Sequence, residues 1–578
     1  MAVRQDPQLL ALRLVQVLLG LVVLLALFVS LVVPYHATDA LVYGQLSRAI
    51  GIQGGFLVDW VSYPAYSRPI FYVPQGWMWW LVGWQEWLGR LYSLGFFVLL
   101  LWALFRLAAD RTLPRITPWL TLLVLLACPD ALVQAIAGQT DVPVAALIAT
   151  AAVLLWRRPP SGRTAVLIAV VAAAAVLAKP TALPALTGLA LACFIGDRRG
   201  LRDRLRLGLV PLVGGTIVAL VYGVVMSRHF GLSLDSFLGG EVGGSAPPAA
   251  TASLTLPDGL TFAGNGTVDR VTNGLRDFFS SDRDSILLRA EWLGPYLRLL
   301  VQFALVYAIA RVAGVRHRPA SFVALSLAIL GYVLAPRLLV GGDLAFDDSA
   351  GSIGLTILAL VPLAAVAWCP ADQVPDRALL GRLLLLGLLP LAAWGVFGII
   401  GDTRTLSPSW PAMFLLCAIP LAMGVAALAI RSAWLAAAAV IVVALMGVLD
   451  LRNFDGLGVQ PDGSANAWRA LVHLTPDTWL DPDAARTVAD PQLGGMVDAI
   501  DRELPADGRL ASNDGRMIYY APNRADIGDV PAGCGDLRGD DVLALLLNGA
   551  QPFDASRLDC LEPVDVVPGS YGVWRVTR

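Results

Sequence analysis

The chain has 578 residues, 57% of them hydrophobic and 15% charged, with a formal net charge of −2 at pH 7 and a mean hydropathy of +0.67. This composition lies far outside the soluble globular range, and its near-zero charge offers nucleic acid no basic surface. Richness in Ala, Gly, Pro and Arg suggests a GC-rich bacterial genome.

Apolar runs of roughly 20 residues cross a hydrocarbon core as helices. In chain order the sequence predicts thirteen spans, at 13–33, 91–109, 117–133, 141–156, 164–178, 181–196, 207–227, 293–312, 320–340, 352–368, 380–400, 409–430 and 433–450. The first reads as an anchor, because its apolar run exceeds that of a cleaved leader and no small-residue cleavage site follows. The expected fold is therefore mainly α: a polytopic membrane unit over 1–450, then a small α/β unit over 451–578. Segments such as "GRLASND", "RMIYYAP", "DVLALLLNG" and "YGVWRVTR" in the tail have strand-like composition.

The stretch "RPIFYVPQGWMWWLVGWQEWLG" (68–89) decides the sidedness. If it does not cross, the short Arg-rich loops around Arg106, Arg111, Arg115, Arg157, Arg158, Arg163, Arg311, Arg316, Arg377 and Arg382 share one face with Arg4 and Arg13. Cytoplasmic loops carry such an excess of basic residues. Its five tryptophans favour the membrane interface, so the stretch is read as a helix lying on the outer surface. The N-terminus is then cytoplasmic. The outer face holds the loop 34–90, the long loop 228–292 and everything after 450. The first part of 228–292 reads as flexible and the second as a short amphipathic helix near the site. The expected location is a bacterial inner membrane.

Cys128, Cys193, Cys369 and Cys417 lie in or beside apolar runs and are expected to behave as small buried hydrophobes. Cys534 and Cys560 lie in the polar tail and would pair if it faces an oxidising compartment.

Ionisable residues at membrane depth are costly and default to functional hypotheses. Several gather at outer helix ends: Asp39 in "VPYHATDALVYG", Asp141 in "AGQTDVPVAAL", Lys179 in "LAKPTALPAL", Arg337 in "LAPRLLVGGD" and Arg404 in "GDTRTLSPSWPAM". Of 42 basic residues only Lys179 is a lysine. Two carboxylates and three cations on one face suit sugar transfer. A carboxylate can take the acceptor's hydroxyl proton, and cations can hold a phosphate and stabilise its charge as it leaves. Plainer readings stand beside these. Asp39 could cap an interfacial helix, Asp141 could be an N-cap, and Lys179 could snorkel to the headgroups. Arg337 and Arg404 could bind lipid headgroups. His36 is near Asp39 and could orient it, or simply sit satisfied at the interface.

Five local patterns, in order, resemble the GT-C superfamily of integral-membrane glycosyltransferases. The resemblance is to the branch of the lipid A aminoarabinose transferase, the bacterial relatives of protein O-mannosyltransferases and the Rgt-type lipopolysaccharide glycosyltransferases. "TDALVY" resembles the start of the family's first outer loop, which keeps the catalytic carboxylate. "SRPIFYVPQGWMWWLVGW" resembles its "RPPLYPLL"-like juxtamembrane stretch. "GQTDVPVAALIA" resembles its second acidic site, "LAKPTALPAL" its "LTKGPxxLxLP"-like turn and "GDTRTLSPSWPAM" its "RYxLPxLPA" segment. Three positions depart from the pattern: Asp39 is followed by Ala40 rather than Glu, Ile70 replaces the second Pro, and Thr405 replaces Tyr.

The resemblance implies an inverting transfer of a sugar from a polyprenyl-phosphate donor to an extracytoplasmic glycan, lipid or protein. Asp39 would be the base, and Asp141 would orient the acceptor or help position the base. Lys179 and Arg404, with Arg337, would bind the donor phosphate. No cofactor is required on this reading. A divalent ion between Asp39 and Asp141 is an open alternative, and no zinc or haem ligand spacing is present. The rival classes are an O-antigen ligase or polymerase and a lipid-linked sugar transporter or flippase. A transporter would show inverted repeats and charges at mid-bilayer.

Overall fold

The structure is a computed structural model. It describes residues 9–32, 38–57, 68–126, 140–195, 200–231, 295–315, 361–397, 407–452 and, with short interruptions, 491–577, together with scattered positions at 66, 128–138 and 358.

Every span read from the sequence meets a described helical segment, apart from one. The stretch 320–340 lies outside the described residues, and of 352–368 only 358 and 361–368 are described. Three of the described helices are long and apolar enough to cross a membrane: Trp87–Ala108, Leu201–His229 and Ser407–Arg431. Shorter apolar helices include Leu9–Leu24, Thr117–Leu126, Gly162–Ala178, Ala182–Ala192 and Ala433–Met446. The span read at 117–133 keeps its helix only over Thr117–Leu126.

Helix Trp410–Arg431 forms the centre of the bundle. It is apolar all round, as a helix buried on every side must be, and nearly all its residues are buried. Helices Leu9–Val32, Glu86–Ala108, Thr117–Leu126, Asp141–Arg157, Pro295–Val312, Arg377–Phe397 and Ala433–Arg452 share its core. The periphery is greasy. Val210, Val213, Ile217, Val218, Val221 and Val225 stand exposed along one helix, and Trp434, Leu435, Ile441 and Leu445 along another. Contiguous exposed apolar stripes of this size fit a lipid-facing surface.

Helix Thr38–Gln53 and helix Pro69–Val82 cross closely. A Cβ on Gly76 would lie 2.7 Å from the Ile50 Cβ and 2.8 Å from the Ser47 carbonyl oxygen, and one on Gly51 would lie 3.0 Å from the Trp79 Cβ. Small residues at such crossings let helix backbones approach. The Ser47 hydroxyl adds hydrogen bonds to the Tyr72 carbonyl at 2.8 Å and to Gln75 Oε1 at 3.3 Å. Helix Pro69–Val82 ends at Gly83, whose φ of 86° suits glycine. The next helix begins at Glu86, so 68–89 does not form one continuous helix. Its Phe71, Tyr72 and Trp79 are buried while Trp77, Trp80, Leu81 and Val82 are exposed.

The tail folds as a five-stranded sheet in the order β2-β1-β3-β5-β4. Its strands are β1 Leu510–Ser512, β2 Ala525–Ile527, β3 Val542–Leu546, β4 Leu561–Val567 and β5 Tyr571–Val576. β1 pairs parallel with β2 and β3, and β5 pairs antiparallel with β3 and β4. Helix Pro491–Glu503 packs Leu493, Met496, Val497 and Ile500 into a core with Leu510, Val542 and Val573. A second cluster holds Leu537, Leu543, Leu545 and Trp574. Beside it a disulfide joins Cys534 to Cys560, with Cα atoms 6.0 Å apart. Cys128, Cys193, Cys369 and Cys417 are free and buried.

One segment of strand-like composition takes another form. "RMIYYAP" makes a single helical turn, Met517–Tyr520. The local cause is Asp514. Its carboxylate accepts the Arg516 backbone N–H at 3.0 Å, and its carbonyl accepts that of Met517 at 3.0 Å, which turns the chain before a strand can continue.

Candidate active site

Helix Asp141–Arg157 and helix Gly162–Ala178 are joined by four residues, so they run antiparallel. The start of the first and the end of the second therefore lie together. The first begins after Thr140, which places Asp141 at the first helical position rather than at the N-cap. The second is stopped by the pair Lys179-Pro180. A residue before proline is driven to extended backbone, and Lys179 has φ −161° and ψ 123°. A carboxylate at a helix start and an ammonium at a helix end each complement the helix dipole.

These two positions meet. Lys179 Nζ donates to Asp141 Oδ1 at 2.6 Å, with the side chains 8% and 3% exposed. Two buried charges must be paired, because each would otherwise carry a large desolvation penalty.

A second cation reaches the same spot. Arg68, at the N-cap of helix Pro69–Val82, donates from Nη1 to Thr140 Oγ1 at 3.1 Å. Thr140 does not cap its own helix, so its hydroxyl serves Arg68 instead. Two residues beyond Lys179, the Thr181 hydroxyl is buried and has no hydrogen-bond partner among the described residues. Among the described residues, Asp141, Lys179 and Arg68 bring one negative and two positive charges together. The start of helix Asp141–Arg157 adds its partial positive charge to theirs.

The opposite end of helix Asp141–Arg157 is basic. There Arg157 forms an ion pair with Asp110 at 3.1 Å. Burial pushes the Asp110 carboxyl up, but hydrogen bonds from Thr112 and the charge of Arg157 outweigh this and hold it below its ordinary value.

The other expected site residues are reached only in part. Asp39 occupies the second position of helix Thr38–Gln53, and the description does not extend to its side chain. His36, Arg337 and Arg404 lie outside the described residues, as does 232–294, most of the long loop expected on the outer face. Among the described residues no group of three or more His, Cys, Asp or Glu could hold a metal ion.

Sequence reasoning passed over Arg68 and Thr140, although both stood inside quoted motifs, one directly before Pro69 and the other directly before Asp141. It also passed over Arg90, 1% exposed on helix Glu86–Ala108, in a stretch assigned to the interface.

No family model matches the chain, and no curated protein matches it. Several solved structures resemble it. ArnT from Cupriavidus metallidurans in the apo state is 16% identical over 97% of both chains, with a TM-score of 0.44. The oligosaccharyltransferase AglB from Archaeoglobus fulgidus, in complex with an inhibitory peptide and a dolichol-phosphate, is 12% identical over 92% of this chain and 70% of its own, with a TM-score of 0.38. The arabinofuranosyltransferase AftD from Mycobacteria is 13% identical over 97% of this chain, which spans 40% of AftD, with a TM-score of 0.45. All three are glycosyltransferases of the GT-C superfamily, the one whose motifs the sequence resembles. TM-scores below 0.5 assign no residue of this chain a role.

Proposed function

We propose that this chain is an integral-membrane glycosyltransferase that moves a sugar from a polyprenyl-phosphate donor to an acceptor outside the membrane. The observation that carries this reading is the buried Lys179–Asp141 pair with Arg68 beside it. Cationic side chains from separate helices converge at one end of the bundle, and the arginine-rich end of the same helix lies opposite. Basic residues mark the cytoplasmic side, so the convergence belongs to the outer side. There a lipid-linked phosphate would sit with its tail in the bilayer and its sugar in water.

In the proposed reaction the Asp39 carboxylate takes the proton of the acceptor hydroxyl. The acceptor oxygen forms a bond to the anomeric carbon as the bond from that carbon to the phosphate oxygen breaks. In-line displacement inverts the configuration. The electron pair leaves with the phosphate, whose growing charge is stabilised by Lys179, Arg68, Arg404 and Arg337. Asp141 holds Lys179 in place and orients the acceptor. The acceptor class is a cell-envelope glycan, lipid or protein.

Mass-spectrometric comparison of envelope glycans from cells with and without the protein tests this reading. One sugar residue is expected to be missing without it, and missing again when Asp39→Asn is the only form present. Normal glycans in both strains would overturn the proposal. So would flux of a lipid-linked sugar across sealed vesicles without any glycan product.

A further inference from the structure

Trp79 on helix Pro69–Val82 is 1% exposed, and it shares a core with the tail residues Leu493, Met496, Leu510 and Tyr519. The buried Tyr519 ring meets the Trp79 and Trp84 rings edge-on, with centroids 6.4 and 6.2 Å away. Trp84 Nε1 also donates to the Tyr519 hydroxyl at 3.5 Å. The Arg48 guanidinium covers the Trp84 ring at 3.7 Å.

The contact that matters most is with Gly44. A Cβ there would lie 3.1 Å from Tyr519 Cε2 and 3.3 Å from Cδ2. The tyrosine ring thus packs so closely on helix Thr38–Gln53 that a side chain at this position would push it back by a few tenths of an ångström. Gly44 is five residues beyond Asp39, about 7.5 Å along the helix axis. The same helix is gripped elsewhere by Trp79 at Gly51 and by Gly76 at Ile50. Trp79 therefore touches both the helix and the tail.

We infer that the tail is a positioning part of the active centre, with Tyr519, keyed into Gly44, setting the axial placement of the helix that begins at Thr38 and carries Asp39. This rests on the proposed role of Asp39. The chemistry gives it consequence, because a base misplaced by about 1 Å can lose on the order of a hundredfold in rate. Lys179 and Asp141 sit on other helices, and Arg68, although it caps the helix that carries Trp79, lies eleven residues or about 16 Å from Trp79 along that helix.

The test uses the full chain in detergent and two readouts. In an Asp39→Cys background the new thiol reports its own surroundings, since the four free cysteines are buried. Its rate of reaction with a membrane-impermeant thiol reagent is measured with Tyr519, with Tyr519→Ala, with Tyr519→Phe and with Gly44→Ala. The second readout is binding of undecaprenyl phosphate in the native Asp39 background. Tyr519→Ala and Gly44→Ala are expected to change the labelling rate several-fold while undecaprenyl phosphate binds as before. Tyr519→Phe, which keeps the ring, is expected to label like the parent. Gly44→Ala leaves the tail core whole, so it still decides the matter if Tyr519→Ala fails to fold. Unchanged labelling in both variants overturns the inference, as does a loss of binding in step with any labelling change, which marks general unfolding. If the parent chain binds no undecaprenyl phosphate, the donor reading fails, and labelling at position 39 still decides the positioning role.

Discussion

Lys179 and Asp141 close a buried ion pair of 2.6 Å between the end of one helix and the start of its antiparallel neighbour. A pair of this kind is weak evidence for stability, because desolvation offsets much of the attraction. Its separate halves are another matter, since removing one leaves an uncompensated buried charge. Lys179→Ala is expected to lower stability by about 3–5 kcal/mol, read as the thermal unfolding midpoint in detergent. The double change Lys179→Met with Asp141→Leu is expected to recover most of that loss while sugar transfer stays abolished. A double variant that transfers sugar normally would leave the pair with a packing role alone.

Arg68 and Thr140 give a graded test of the anion site. A hydrogen bond to a charged group contributes about 1.5–3 kcal/mol, which corresponds to roughly a 10–100-fold change in affinity. Arg68→Ala is expected to raise the Kd for undecaprenyl phosphate by an amount in that range. Thr140→Val keeps the arginine and removes one acceptor of its hydrogen bonds, so it is expected to raise the Kd less. Parent-like binding in both variants would remove Arg68 from the site.

The crossing of helices Thr38–Gln53 and Pro69–Val82 tolerates no side chain at Gly76. The atoms in the way are the Ser47 carbonyl oxygen and the Ile50 Cβ, which cannot swing aside as a long side chain would. Gly76→Ala is expected to cost about 1–3 kcal/mol through overpacking. Gly20→Ala is the control, as nothing lies within 4 Å of its added Cβ. A similar unfolding midpoint for both variants would show that the crossing is looser than described.

Asp110 gives a pH signature. Its carboxyl is held below the ordinary 3.8 in the folded chain, so the unfolded chain binds the proton more readily. The stabilisation is therefore complete above about pH 4 and fades as pH falls through the folded value. The stability difference between the parent and Asp110→Asn is expected to be constant near neutrality and to shrink in acid. A difference that stays level down to pH 2 would contradict the assigned balance of interactions.

Features written in short stretches of sequence were legible. Apolar runs announced the helices, and Lys179-Pro180 announced a helix end, because proline restricts the residue before it. The pairing of Asp141 with Lys179 was half legible. Both were placed on one face from the span count, but their direct contact depends on how two helix ends meet. Arg68 was harder, since its partner Thr140 lies 72 residues away and neither residue stands out by type. The turn at Met517–Tyr520 was hidden by its own composition, Tyr and Ile being strand formers, while the deciding group, Asp514, stood just upstream. The seat of Tyr519 against Gly44 has no local signal at all, because a glycine in a helix gives no hint of what fills its space.

The link between Trp84 and Tyr519 spans 435 residues of chain, and this orders events in time. Synthesis completes helix Thr38–Gln53 long before it supplies the ring that packs against it. A chain that stops short of residue 519 therefore lacks the ring that packs against Gly44. The Cys534–Cys560 bond closes still later, 41 residues after Tyr519 at its far end, so the tail's covalent staple also follows the ring in time.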